Sequence, residues 1–361
     1  MTTVYNFNAG PSSIPAPVLR KAKEEMFNFE QSSMAVMEMS HRSPLYEKIH
    51  FGAMNKLRDI YEIPEEYEIL FLQGGASLQF SMVPLNFLDK NQTASYVLTG
   101  SWSEKALKEA SALGNVHTLS SSKDSQYRCI PPTDYSDLPE NTAYVHLTSN
   151  NTIFGTQWPT FPKKKNVPVI VDMSSDVLSR NIPWEDLDMV YAGAQKNAGM
   201  SGVTLVIIRK TLLEKANTQL PPSLSYKQHA KSDSLYNTPP TAAVYITGLV
   251  AEWIAECGGV TEMARRAEEK AAMIYNAIDK SNGFFTGHAD ASSRSLMNIT
   301  FRLENEELEK LFLNEAKEAG FVGLNGHRSV GGCRVSNYNA VPLKHVEILR
   351  DFMVTFMEKH I

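Results

Sequence analysis

Between about residues 68 and 209, short runs rich in β-branched and aromatic residues alternate with polar or helix-forming stretches. The runs fall at 69–72, 94–98, 144–147, 167–171, 189–192 and 203–208. Most of the intervals are long enough to hold a crossover helix, a pattern that predicts a mainly parallel sheet with helices on its faces. In open sheets of this class ligands gather beyond the carboxyl ends of the strands. Asp172 follows the 167–171 run, Gln195 and Lys196 follow 189–192, and residues 148–152 follow 144–147, so a common site at that edge is expected.

With 361 residues, the chain exceeds the roughly 250 to 300 at which a single core stops growing, and two domains are expected. An apolar helix pattern at 241–256 runs into Gly258 and Gly259, and 261–279 then reads as a charged amphipathic helix. A strand is expected at 295–302, a helix at 306–319, a short strand at 334–336 and a closing helix at 343–359. The glycine pair divides a large domain, 16–257, from a small α/β domain, 258–361, which the segment 1–15 is expected to join.

Composition excludes several classes of function. A net charge of -5 argues against a protein that neutralises nucleic-acid phosphates, which needs a basic stripe. No apolar run approaches membrane-spanning length and the first residues carry no leader pattern, so a cytoplasmic protein without membrane association is expected. Cys129, Cys257 and Cys333 lie far apart, without disulfide or zinc spacing, and no His and carboxylate spacing suggests a metal. Cys333, beside Arg334 in a Gly-rich segment, is a candidate reactive thiol.

Lys196 sits in Tyr191-Ala192-Gly193-Ala194-Gln195-Lys196-Asn197-Ala198-Gly199, small uncharged company after an apolar strand. A desolvated amine there suits Schiff-base chemistry with a carbonyl cofactor, against the commoner reading of a solvated loop lysine. Asp172, at the end of a buried strand, needs a cationic partner such as a protonated pyridine nitrogen; a helix N-cap is the plainer alternative. Gln73-Gly74-Gly75-Ala76-Ser77 joins a strand to an apolar helix whose N-terminus can take a phosphate, or is simply a turn with a serine cap. It is not a G-x-G-x-x-G fingerprint, which weakens a nicotinamide reading. Trp102 could stack on a planar cofactor or pack in the core. His41, Arg42, His327, Arg328 and Arg334 form a cationic set suited to carboxylates and phosphates, though each pair alone is more often solvated.

At these residues the sequence resembles the phosphoserine aminotransferases, class-V aminotransferases of the fold-type-I pyridoxal-phosphate architecture. The resemblance runs through Asn6-Phe7-Asn8-Ala9-Gly10-Pro11, Ser40-His41-Arg42-Ser43, 73–80, 192–202, Tyr236-Asn237-Thr238-Pro239-Pro240-Thr241 and 326–340. It implies pyridoxal 5'-phosphate as cofactor, Lys196 as its covalent attachment, Asp172 on the pyridine nitrogen, Trp102 on the ring and Thr152 on the phenolic side. Ala76, Ser77 and Gln195 would hold the phosphate, joined by Asn237 and Thr238 from the other subunit of a homodimer. Arg334 would clamp the substrate α-carboxylate, with His41, Arg42, His327 and Arg328 on phosphate and side-chain carboxylate. Some relatives carry Arg where this chain has Ala76, which leaves that phosphate contact to backbone N–H groups and Ser77.

The implied reaction exchanges an amino group between L-glutamate and 3-phosphohydroxypyruvate, giving O-phospho-L-serine and 2-oxoglutarate in serine biosynthesis. 4-Phosphohydroxy-L-threonine of pyridoxine biosynthesis is a second candidate substrate. The alternatives are another class-V activity, such as cysteine desulfuration through Cys333, and a non-catalytic binding protein on the same fold.

Overall fold

The computed structural model describes residues 3–163 and 166–361. Its centre is a seven-stranded sheet built from β1 (Tyr67–Leu72), β2 (Thr93–Leu98), β3 (Asn115–Ser121), β4 (Thr142–Thr148), β5 (Val169–Asp172), β6 (Met189–Gly193) and β7 (Thr204–Arg209). The spatial order is β1-β7-β6-β5-β4-β2-β3. β7 runs antiparallel to both its neighbours, while the pairs β6-β5, β5-β4, β4-β2 and β2-β3 are parallel. The expected mainly parallel sheet is therefore present, with one reversed strand. β3 had no apolar run to announce it: an edge strand with no fully buried residue needs no continuous hydrophobic sequence.

The reversal of β7 positions the site. Because β7 returns alongside β6, the 194–203 connection must turn back within one short loop at the carboxyl edge of the sheet, and that loop carries Lys196. Register places Thr148 beside Asp172, and Asp172 beside Tyr191, on adjacent strands at the same edge. Two apolar clusters cover the two faces, one around Phe71, Val145, Val171 and Val190, the other around Phe80, Tyr144, Ile170 and Tyr191. Alternation of side chains along each strand explains the division, since Ile170 and Val171 necessarily face opposite layers.

A third cluster, built on Phe301, Phe312, Val335 and Phe356, belongs to a three-stranded antiparallel sheet, Phe285–Gly287, Asn298–Leu303 and Cys333–Ser336, with its helices. Phe7 is fully buried in this cluster, and Tyr5–Asn6 pairs in parallel with Phe321–Val322. Between the large sheet and this cluster lies a polar layer rather than more apolar packing. Asn150 Nδ2 donates to Asn298 Oδ1 at 2.8 Å, Ser295 Oγ donates to Asn150 Oδ1 at 2.5 Å, and Gln157 Oε1 accepts from Leu296 N–H at 2.9 Å. Buried polar groups paired in this way fix one relative placement of the two cores, since a slip would leave them unsatisfied.

Candidate active site

One cavity of about 140 Å³ at the carboxyl edge is lined by Ala76, Ser77, Trp102, Thr152, Asp172, Gln195 and Lys196, together with Gly75, Phe80, Thr148, Asn150, Ser174 and Ser175. Seven residues singled out in the sequence thus converge from five separate segments. Larger concavities exist elsewhere among the described residues, such as those around Trp158 and Arg180 and around His288 and Arg302, and these two hold none of the seven.

Lys196 Nζ donates to Thr152 Oγ1 at 3.0 Å and lies 5.8 Å from the centre of the Trp102 ring. Burial lowers its amine to about 8; Asp172 pulls upward and Arg334 pushes further down. The lysine loop is itself held from outside the sheet. Ser12 N–H donates to Gln195 O at 2.9 Å and Ser12 Oγ donates to Lys196 O at 2.5 Å.

Asp172 Oδ1 accepts from Ser174 N–H at 2.9 Å and Ser174 Oγ–H at 2.6 Å. This is a two-residue Asx turn and not a helix cap, since no helix follows. Burial raises the carboxyl above its usual range, and the Ser174 bonds and the Lys196 charge oppose the rise. A cation brought against Asp172 would reinforce them.

The helix Gly75–Phe87 begins with no side-chain cap, so its first N–H groups have no intrahelical acceptor. Its N-cap is Gly74, at φ 87, not Ser77. A Cβ at Gly74 would lie 2.4 Å from Leu78 Cδ2, which, with the left-handed backbone, reserves the position for glycine. Gly75, Ala76 and Ser77 line the cavity at this positive helix end, a setting that suits a phosphate.

Arg334 is held beside the cavity by a bond from Nη1 to Thr152 O of 3.1 Å. His327 is pulled below its usual range by burial, Arg334, Arg328 and Lys105, which places these cations in one electrostatic group. His327 Nδ1 sits 2.7 Å from Ser329 Oγ. Lys105, with Nζ 4.3 Å from the Trp102 ring centre, was not singled out in the sequence; its spacing of three from Trp102 on one helix was the available signal. Ser174 was missed as well, although an Asp-x-Ser after a strand announces such a turn.

His41, Arg42, Asn237 and Thr238 do not line the cavity of their own chain. His41 and Arg42 form the turn before the helix Pro44–Ile60, which Ser43 caps. Asn237 and Thr238 are exposed, tied to the glycine turn only through Gln73 Nε2, which donates to Thr238 O at 2.8 Å. Cys333 is 1 % exposed, and burial pushes its thiol far above the usual range. It is a protonated core side chain, so its candidacy as a reactive thiol is withdrawn.

The family profile for class-V aminotransferases matches residues 4–349. The phosphoserine aminotransferase of Lysinibacillus sphaericus is 60% identical over 99% of this chain and 98% of that protein. The chain belongs to the phosphoserine aminotransferase family. The solved phosphoserine aminotransferase of Bacillus circulans subsp. alkalophilus superposes with a TM-score of 0.97 at 49% identity, over 99% of each chain. That of Trichomonas vaginalis, solved with pyridoxal phosphate bound, gives 0.92 at 37% identity over 98% of this chain and all of the other.

Pyridoxal phosphate is the cofactor of this aminotransferase family, and the cavity can be tested against it. A phosphate matches the uncapped helix end, and an aldehyde matches a desolvated lysine. A pyridinium matches a buried carboxylate whose one oxygen is already taken by Ser174. The ring matches Trp102, whose enclosed Nε1 finds no hydrogen-bond partner among the described residues. The donor set fits the group at every point.

Proposed function

We propose that this phosphoserine aminotransferase transfers the amino group of L-glutamate to 3-phosphohydroxypyruvate through the residues gathered at the carboxyl edge of the sheet. The observation that carries the assignment is Lys196: an amine held near 8, hydrogen-bonded to Thr152, with a buried carboxylate lining the same cavity. Pyridoxal phosphate supplies an aldehyde for amines and a ring that accepts the electron pair left when the α-proton departs.

The chain's own groups do the rest. Gly75, Ala76 and Ser77, at the uncapped helix end, would hold the phosphate by their backbone N–H groups. Asp172, whose charged form the Ser174 bonds and Lys196 favour against burial, would favour a protonated pyridine nitrogen brought against it. Lys196 would hold the cofactor, and its buried Nζ, lowered to about 8 in the chain by itself, is an amine that could take and return the substrate α-proton. Arg334 offers its guanidinium to the α-carboxylate, while Arg328 and Lys105 make the surroundings positive for a second anionic group and His327, held uncharged by burial and these cations, offers a hydrogen bond. Two acids of unlike length share one pocket, which is the use of several cations rather than one.

The site is completed, in this reading, by a second copy of the chain. His41, Arg42, Asn237 and Thr238 are not among the residues that line the active-site cavity, and Met34, Met37, Phe51 and Tyr236, near them in sequence, are exposed large apolar side chains. A homodimer covers that surface and carries the four polar residues to the partner's site. The division into 16–257 and 258–361 is supported by the separate apolar clusters, with Val260 and Met263 still packed in the cluster of the large sheet; Phe7 lies in the small-domain cluster, while Ser12 is bonded to the lysine loop. Among the described residues no single helix is long and apolar enough to cross a membrane, and we place the enzyme in the cytoplasm, where glutamate is abundant.

The test is spectroscopic. L-Glutamate should abolish the visible cofactor band of the purified protein, and 3-phosphohydroxypyruvate should restore it with formation of phosphoserine. Conversion without restoration would keep an aminotransferase and remove its phosphorylated substrate; a band indifferent to glutamate would overturn the assignment.

A further inference from the structure

Lys270 lies on the helix Gly259–Asp279, outside the active-site cavity, and is 2 % exposed. A lysine so enclosed is unusual unless its charge is compensated. No carboxylate pairs with it among the described residues. Instead Nζ donates to three backbone carbonyls, Asn337 O at 3.2 Å, Tyr338 O at 2.7 Å and Val341 O at 3.1 Å. An ammonium has three N–H donors, and all three are used. Burial and the neighbouring Arg266 lower its amine to about 7, while the three carbonyl oxygens within hydrogen-bond reach favour the charged form, which has the third donor.

The turn that Lys270 gathers begins one residue after the strand Cys333–Ser336, which carries Arg334. From that turn, bonds run to three other parts of the site. Asn339 N–H donates to Asn197 Oδ1 at 2.9 Å, and Asn197 is the residue next to Lys196. Asn339 Nδ2 donates to Leu178 O at 2.8 Å, in the segment after Asp172. Tyr338 Oη donates to Ala9 O at 2.8 Å, in the N-terminal segment whose Ser12 grips the lysine loop. Without the ammonium, the carbonyls of Asn337, Tyr338 and Val341 would lose these three bonds, Tyr338 O keeping the one it accepts from Val341 N–H at 3.0 Å, and the closure of the turn would weaken.

We propose that Lys270 is a positioning residue for the reaction: its ammonium closes the 337–341 turn, and the closed turn holds the Lys196 loop and the Arg334 strand in register with each other. The inference rests on Lys196 being the reactive amine. It assigns to a residue of the small domain, not among those that line the cavity, the task of keeping Lys196 in the cavity and Arg334 beside it at a constant separation.

The experiment compares wild type with Lys270→Met, which keeps the length of the stem and removes the donors, and with Asn339→Ala, which leaves Lys270 and cuts the link to Asn197. Each holoenzyme is followed by melting temperature, by the pH titration of its cofactor band, and by the rate and glutamate dependence of band loss. Misplacement of reacting groups should slow the glutamate step by about tenfold or more, change the glutamate KM less than the rate, and displace the band's titration midpoint in both variants. A lower melting temperature with unaltered midpoint and rate would reduce Lys270 to a structural role and overturn the proposal. If Lys270→Met does not fold, Asn339→Ala decides: an unchanged midpoint and rate there overturns it equally. A wild type unresponsive to glutamate would instead sink the reading of Lys196, so the two failures are distinct.

Discussion

Replacing Asp172 by Asn and Arg334 by Gln should move the Lys196 amine in opposite directions in the cofactor-free protein. Burial holds that amine at about 8, with Asp172 raising it and Arg334 lowering it as the lesser influences. At a pH of about 7.5, a value of 8 leaves about a quarter of the amine neutral, against about a thousandth for an ordinary lysine near 10.5, roughly a two-hundredfold gain in reactive form. Each variant removes one charge and leaves the burial in place. A shift on the order of one pKa unit is expected in each, downward for Asp172→Asn and upward for Arg334→Gln, with neither reaching 10.5. The assay is the pH dependence of reductive methylation at Lys196, read by peptide mass spectrometry on protein stripped of cofactor. Linkage gives an independent sign. The folded value lies below the unfolded one, so between about 8 and 10.5 the unfolded chain binds a proton that the folded chain has released, and stability rises with pH across that window. Below about 8 the cost of burying the Lys196 ammonium is fully present, and a Lys196→Met protein should show a shallower slope, keeping the part that Lys270, lowered to about 7, contributes by the same linkage. A wild-type Lys196 that titrates near 10.5, or two variants that shift in the same direction, would refute the reasoning.

Cys333→Ser should retain glutamate-dependent turnover while losing about 1–3 kcal/mol of stability, because a hydroxyl replaces a thiol at a site 1 % exposed; denaturant titration beside the band assay separates the two effects. Gly323→Ala places a Cβ 2.5 Å from Asn8 N at a φ of 83, and should cost at least about 1–3 kcal/mol in a urea melt, with the N-terminal segment losing amide protection first. Tyr338→Phe removes the hydroxyl that donates to Ala9 O and accepts from Asn298 Nδ2, and should lower stability by about 1 kcal/mol for each bond lost. An equal mixture of inactive Lys196→Ala and inactive Asn237→Ala/Thr238→Ala chains, refolded together, should recover about a quarter of wild-type activity, since half the dimers are hybrids with one intact site in two. No recovery would place both sets of residues in one subunit's site.

Local pattern alone was enough to place most of the framework. The six runs read as strands appear in the structure with ends displaced by at most two residues, because a strand buried on both faces must be apolar along its length whatever surrounds it. Asn115–Ser121 escaped notice for the converse reason: pairing with one neighbour at an edge demands no such run. The lysine loop and Asp172 were legible because polar residues that end buried strands stand out against their surroundings.

What the sequence determined by itself is the set of elements and the reactive residues at their ends, since both follow from the order of side chains along a few consecutive residues. The tertiary structure decided how those residues behave. The lowered Lys196 amine requires burial by groups distant in the chain; Asp172 and Arg334 pull on it oppositely only because the fold brings them near. Cys333, plausible as a thiolate beside an arginine in sequence, is silenced by alternation along its strand, which turns it into the Phe301 and Phe312 cluster while Arg334 turns toward Thr152. Lys270 carries no mark at all in a helix of ordinary charged residues. Its meaning lies in three carbonyls some 70 residues further along the chain, and a hydrogen bond across that distance is a property of the packed molecule.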